Sequence, residues 1–211
     1  MRKKIGLLGG TFDPVHLGHL QVADAVMKRL TLEKVLFIPV AVPPHKPDNV
    51  ITSYAHRVRM IELALRDKAH MVVSTIESSL ATPSYTIDTL AAIRESGEDE
   101  DYYFILGMDA FLEIATWKAY KEVLRCVNLT VLTRRGYDRS LLPAYLDILG
   151  FVRDGEGWRI PGSVYELVFL EEEIADISSS RIRRTIMAGG DVESFLPGRV
   201  GRYIEENGLF Q

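Results

Sequence analysis

Short, wholly apolar runs alternate along the chain with longer stretches in which apolar residues recur every three or four positions. Lys4 to Leu8 is the first such run and stops at Gly9-Gly10. A run of this length without polar alternation reads as a strand buried on both faces. Leu17, Leu20, Ala23, Val26, Met27 and Leu30 then fall at helical spacing. The same reading predicts strands over 35–40, 71–75, 102–106 and 129–132. It predicts helices over 54–66, 85–95 and 141–149, and a broken helix over 109–124. The stretch 41–53 is Pro-rich and irregular, and 155–170 reads as one or two shorter strands. Helices over 178–188 and 199–207 close the chain.

Strands alternating with helices at this spacing predict an α/β fold: a Rossmann-like, doubly wound parallel sheet with a small helical C-terminal portion. Residues 1–211 read as a single domain. The last third is either an extension of the sheet or a small helical subdomain over 175–211, and the pattern alone leaves both open.

Composition narrows the class. A chain of 211 residues can bury a core without disulfides or a structural metal. The net charge is −4 with no long basic stretch, which argues against a nucleic-acid partner and leaves room only for a local anion site. Cys126 is the single cysteine, so no internal disulfide or C-x-x-C metal pair can form; this suits a reducing cytoplasm. Lying among Val123, Leu124 and Val127, Cys126 reads as core. The N-terminal apolar run is too short for a signal peptide, and no segment approaches the roughly 20 apolar residues of a membrane span. The acidic runs 98–101 and 171–173 read as solvated, and His56 and His70 as surface or boundary residues. The sequence does not set the oligomeric state; a homodimer is compatible with it.

Two segments carry chemistry. The first, G-G-T-F-D-P-V-H-L-G-H from Gly9 to His19, joins the first strand to the first helix. Ligands of open parallel sheets sit at this kind of junction. It is neither a G-x-G-x-x-G fingerprint nor a P-loop. Instead it sets His16 and His19 three apart on one helix face, with Gly18 between them. Gly9 and Gly10 allow close backbone approach, and the helix N-terminus favours phosphate. Either histidine alone reads most simply as a surface residue. The combination reads as paired donors to a phosphate whose charge grows in a transition state. The second segment, I-S-S-S-R-I-R from Ile177 to Arg183, opens a helix. Its serines can cap, but arginines in the first turn oppose the helix dipole unless an anion is shared between them and the N–H groups.

This pair of segments resembles the paired signatures of the H-x-G-H nucleotidylyltransferases, and more narrowly the bacterial nicotinate-nucleotide adenylyltransferases. Four further blocks match that family in order: V-P-P-H-K at 42–46, P-S-Y-T at 83–86, I-L-G-M-D at 105–109 and T-W at 116–117. The H-x-G-H pair alone identifies only the superfamily; the six blocks together are specific. Ser180 stands where the family usually has threonine and keeps the hydroxyl. Arg134-Arg135-Gly136 stands where it often has R-P-G, which keeps the arginine and loses the rigidity of proline.

The resemblance implies adenylyl transfer from ATP to nicotinate mononucleotide, giving nicotinate adenine dinucleotide and pyrophosphate. It implies that His16, His19 and Arg183 are catalytic. Gly9, Gly10, Thr11, Phe12, Gly18, Lys46, Ser179 and Ser180 would hold ATP and its phosphates. His45, Tyr85, Thr86, Gly107, Asp109, Trp117 and Arg134 would lie on the acceptor side. Mg²⁺ is expected to arrive with ATP. For Trp117 a core position, for Tyr85 packing and for Asp109 helix capping are the competing structural readings. A different acceptor within the superfamily, such as phosphopantetheine, and a non-catalytic nucleotide-binding regulator are the competing functions.

Overall fold

The computed structural model describes residues 2–43, 51–96, 100–134, 136–138 and 140–211. Strands β1 (Lys3–Gly10), β2 (Lys34–Pro39), β3 (Met71–Val73), β4 (Glu100–Gly107) and β5 (Asn128–Arg134) alternate with helices. These are α1 (Leu17–Leu30), α2 (Tyr54–Leu65), α3 (Thr86–Glu95), the short α4 (Met108–Leu112) and α5 (Tyr120–Val123). Then follow α6 (Leu142–Leu149), β6 (Val152–Asp154), β7 (Gly157–Arg159), β8 (Glu166–Glu172), α7 (Ser179–Met187) and α8 (Gly198–Glu206).

The strands form one sheet in the order β3-β2-β1-β4-β5-β8-β7-β6. The run from β3 to β8 is parallel. β7 and β6 are added to β8 as an antiparallel ribbon. The region 155–170 is therefore an extension of the sheet. It also has a strand, β6, that the sequence pattern did not predict: Val152, Arg153 and Asp154 are all exposed, so no buried face marks them.

Burial on both faces explains the apolar runs. Ile5 and Leu7 of β1, Phe104 and Leu106 of β4, and Leu129 and Val131 of β5 enter one core with Leu90 of α3, Phe111 of α4 and Leu146 of α6. Leu8, Tyr103, Ile105 and Leu132 face the other way, into a core with Ala23 of α1, Met60 and Ile61 of α2, Ile182 of α7, and Val200 and Ile204 of α8. The closing helices thus share a core with the first strands. His56 of α2 adds a 2.8 Å contact from its Nδ1 to the Tyr203 hydroxyl of α8. Two acidic groups expected in solvent are paired instead: Glu100, whose side chain is 6% exposed, faces Lys34 at 3.5 Å, and Glu172 accepts from Arg29 Nε at 2.6 Å.

Chain order reverses at β1, which pairs with β2 on one side and β4 on the other. This switch point leaves a crevice at the carboxyl ends of β1 and β4, where open α/β sheets bind ligands. Ile182, fully buried, holds α7 against the sheet beside that crevice. Ile182→Ala is expected to lower the unfolding free energy by about 2–5 kcal/mol through the cavity it leaves; urea titration reads this as a lower midpoint with the slope unchanged.

Candidate active site

After β1 the chain leaves the sheet at Gly10 and turns through Thr11–Val15 into α1. His16 is the N-cap of α1 and His19 its third residue. The His19 Nδ1 accepts the backbone N–H of His16 at 3.2 Å. A neutral ring that accepts at Nδ1 carries its proton on Nε2, so His19 offers an N–H donor from its other edge. The two rings stack at 3.6 Å between centroids and 21° between planes, and the Phe12 ring meets His19 at 4.9 Å. A Cβ on Gly18 would lie 3.1 Å from His16 Nδ1, so the glycine lets this ring sit flat against α1.

Burial keeps both imidazoles neutral. Desolvation lowers the His16 pKa to about 4. It lowers that of His19 well below the usual value, and a charge on His16 would lower it further. The pair therefore presents neutral rings rather than two cations. His16 Nδ1 is buried without a hydrogen-bond partner among the described residues.

The second segment comes to the same place. Ser178 is the N-cap of α7, accepting the Arg181 N–H at 3.3 Å. Ser179 Oγ donates to the Pro14 carbonyl at 2.9 Å, and Arg183 Nη1 donates to the Asp13 carbonyl at 2.7 Å. Arg183 Nη2 lies 3.4 Å from Ser180 Oγ. These bonds fasten the first turn of α7 to the turn before α1. A cavity of about 710 Å³ opens between them, lined by Gly9, His16, Gly18, His19, Ser178 and Ser179, and on its far side by Gly107, Asp109 and Thr133. Two helix N-termini, each with N–H groups lacking intrahelical partners, border this one cavity.

A second cavity of about 240 Å³ lies on the other side of β1, with Gly9 in the wall of both. It is mostly apolar, with Ile38, Leu90, Phe104, Leu106 and Trp117 in its lining. Its polar groups are Thr11, Glu77, Thr86 and Thr89. Glu77, in the turn Ile76–Ser79, accepts the Ala41 N–H at 2.9 Å and the Thr89 hydroxyl at 2.8 Å. Thr86 is the first residue of α3, so that helix also opens onto a cavity.

The sequence-predicted residues divide between these cavities, and Gly10 and Thr11, expected with ATP, line the smaller one. Gly107 and Asp109, expected with the acceptor, line the larger cavity with His16 and His19, because β4 ends on that side of Gly9. Tyr85 lines neither cavity; its ring lies beneath Lys118 Nζ at 4.5 Å. Phe12 is 2% exposed and packs against Phe37 and His19, so a ligand meets only its main chain. Ser180 and Arg183 stand at the first turns of α7 but outside the cavity lining. Trp117 borders the smaller cavity, edge-on to Phe104. His45 and Lys46 lie outside the described residues, as does the side chain of Arg134. Cys126 is half-buried, donates to the Val123 carbonyl and has its thiol pKa raised by burial, as befits a packing residue.

Sequence reasoning missed Arg57, Glu77 and Thr89. Glu77 and Thr89 carry no pattern. Arg57 does: with Met60, Ile61, Ala64 and Leu65 it lies on the buried stripe of α2, where a charge is out of place.

Comparison with known proteins places this architecture in a class. Residues 7–185 match the family described as cytidylyltransferase-like. A protein of Desulfotalea psychrophila named "Probable nicotinate-nucleotide adenylyltransferase" is 41% identical over 99% of this chain and 100% of its own length. One of Pelobacter propionicus with the same name is 38% identical over 98% of both chains. The nicotinic acid mononucleotide adenylyltransferase of Plasmodium falciparum, solved with NaAD, shares the fold at a TM-score of 0.76 with 18% identity, covering 99% of this chain and 98% of that one. The chain belongs to the cytidylyltransferase-like family and, within it, to the nicotinate-nucleotide adenylyltransferases.

The depressed histidine pKa values have a consequence for stability. The unfolded chain takes up the proton near the ordinary value of 6.5, whereas folded His16 does so only near 4. Stability is therefore present above about 6.5 and lost as pH falls toward 4, on the order of 3 kcal/mol for His16 alone. Urea unfolding at pH 7 and pH 5 should show this loss in the wild type and a smaller one in His16→Gln; identical losses would exclude the histidine as its source.

Proposed function

We infer that this chain transfers the adenylyl group of ATP to nicotinate mononucleotide, releasing nicotinate adenine dinucleotide and pyrophosphate, a step of NAD biosynthesis. One observation carries the reading: a nucleotide-sized, donor-lined cavity and a smaller, mostly apolar one share a wall at Gly9. A nucleotide in the first and a pyridine ring in the second would meet through their phosphates at that wall.

In this reading ATP occupies the larger cavity. Its ribose lies toward Asp109, and its α-phosphate toward His16, His19 and the N-terminus of α1. The acceptor ring rests against Trp117, with its carboxylate at the N-terminus of α3, where Thr86 supplies N–H and hydroxyl donors. The acceptor 5′-phosphate oxygen attacks the α-phosphorus in line. The bond from that phosphorus to the bridging oxygen breaks, and pyrophosphate departs with the electron pair. No covalent enzyme intermediate and no protein nucleophile are required; positioning and charge stabilisation suffice. The His19 Nε2–H donates to charge gathering on the α-phosphoryl oxygens. Ser180 and Arg183, at the first turns of α7, hold the β- and γ-phosphates and then the leaving pyrophosphate. Lys46 and His45 keep the phosphate and acceptor roles that the V-P-P-H-K block implies.

Mg²⁺ enters as part of the nucleotide substrate, held by phosphate oxygens and water. No helix among the described residues is long and apolar enough to cross a membrane.

Pyrophosphate release from MgATP tests the assignment with nicotinate mononucleotide, its amide or phosphopantetheine as acceptor. The nicotinate form should exceed the amide by roughly one to two orders of magnitude in kcat/KM, the cost of facing N–H donors with an NH₂. His19→Ala should lose about 10²–10³-fold in kcat. Turnover with phosphopantetheine alone would move the acceptor assignment while leaving the nucleotide site in place. Gly18→Ala should also lose activity, by at least about tenfold, through a shifted His16 ring. Its unfolding free energy should stay within about 1 kcal/mol of wild type, because alanine is the better helix former.

A further inference from the structure

Arg57 is 2% exposed and lies on the face of α2 that packs against the sheet. Its guanidinium makes four hydrogen bonds, all to main-chain carbonyls. Nη1 donates to Thr11 at 2.9 Å and to Val40 at 2.7 Å, Nη2 to Ala41 at 3.1 Å, and Nε to Thr52 at 3.0 Å. Thr11 belongs to the turn after β1, Val40 and Ala41 to the exit from β2, and Thr52 to the approach to α2. None of these carbonyls is in a sheet ladder or a helix. Unpaired, each would cost about 1–3 kcal/mol in this setting.

The Arg57 pKa is lowered on balance, with burial the largest cause. The charges of Asp13, Tyr54 and Glu77 pull the other way. Asp13 is itself buried, and its Oδ2 accepts the Thr52 N–H at 3.4 Å. Glu77 takes the Ala41 N–H from the opposite side. The Arg57 guanidinium also lies 5.3 Å from the centre of the Tyr54 ring. The exit from β2 is thus held by a cation on its carbonyls and an anion on an amide. Thr11 and Val40, which two of the guanidinium bonds fix, both line the smaller cavity.

We propose that Arg57 is a positioning residue for the acceptor side: its fork sets the spacing between the turn after β1 and the exit from β2, and so the width of the acceptor cavity. The larger cavity depends on it less, since the turn is also held there by Arg183 and Ser179 of α7. Arg57 touches no substrate. This role rests on the acceptor assignment above.

Arg57→Gln and Arg57→Lys separate positioning from simple support of the fold. Arg57→Gln should raise the KM for nicotinate mononucleotide at least about tenfold and leave the KM for ATP within about threefold. Arg57→Lys, whose single ammonium cannot reproduce a planar fork, should fall between Gln and wild type. Equal shifts in both KM values would overturn the proposal. So would a lower kcat with both KM values unchanged, the mark of a smaller folded fraction. Amide hydrogen exchange gives a second reading that does not depend on activity. In either variant, protection should drop over 9–15 and 40–42 while β4, β5 and α7 keep wild-type protection. A uniform drop, or none, would count against the role. Wild-type enzyme that fails to turn over nicotinate mononucleotide would sink the functional assignment, and the exchange pattern would then decide the case for Arg57 by itself. Should Arg57→Gln fail to fold, Arg57→Lys carries both measurements.

Discussion

The turn that follows β1 must place its carbonyl groups somewhere, and the site is built from the answer. Between Gly10 and α1 no main-chain N–H of a neighbouring strand or helix among the described residues donates to the carbonyls of Thr11, Asp13 and Pro14, and buried carbonyls cannot be left without donors. Side chains from two distant helices supply them. Arg57 of α2 donates to Thr11, Arg183 of α7 to Asp13, and Ser179 of α7 to Pro14. These bonds hold α2 and α7, which share one core, to the end of β1. The smaller cavity lies toward α3 and the larger one toward α1 and α7, with Gly9 in the wall of both.

This arrangement also sets the electrostatics. Net charge is −4, and among the described residues Asp109 is the only Asp, Glu, Lys or Arg lining the larger cavity. What that cavity offers an anion is dipoles: the N–H groups at the starts of α1 and α7, and two imidazoles that burial keeps neutral. Fixed dipoles at a buried site need little reorganisation as charge moves during the reaction. The arginines of the same region are largely engaged with the main chain. They act first as fasteners, and Arg183 keeps guanidinium donors to spare for a leaving group.

Much of the site is legible from the chain because it is local. Gly-Gly, H-x-G-H and the serine run each sit within a few residues at a helix start, and helix spacing alone places both histidines on one face. Gly18 reads as open space in sequence and proves to be the seat of the His16 ring. That Gly107 and Asp109 line the larger cavity is not legible from the chain, for a physical reason. Strand β4 neighbours β1, and whether its end serves one side of Gly9 or the other is a matter of sheet order and twist. Phe12 sits inside a ligand-binding motif yet turns its ring into the core. Arg57 carried a usable signal, a charge on an apolar stripe, but its four partners come from three separate segments.

Legible in the chain alone were the class of fold, the parallel core of the sheet, the helix starts after H-x-G-H and the serine run, and, through six ordered blocks, the family. These follow from hydrophobic period and from short-range geometry, which neighbouring residues settle among themselves. Tertiary structure alone decided the antiparallel ribbon of β7 and β6, the sharing of one core by α7, α8 and the first strands, and the division of residues between two cavities. It also decided the neutrality of the histidines and the work of Arg57 and Glu77. Each of these depends on which groups burial brings together and deprives of water, and residues far apart in the chain acquire that relation only when the chain is folded.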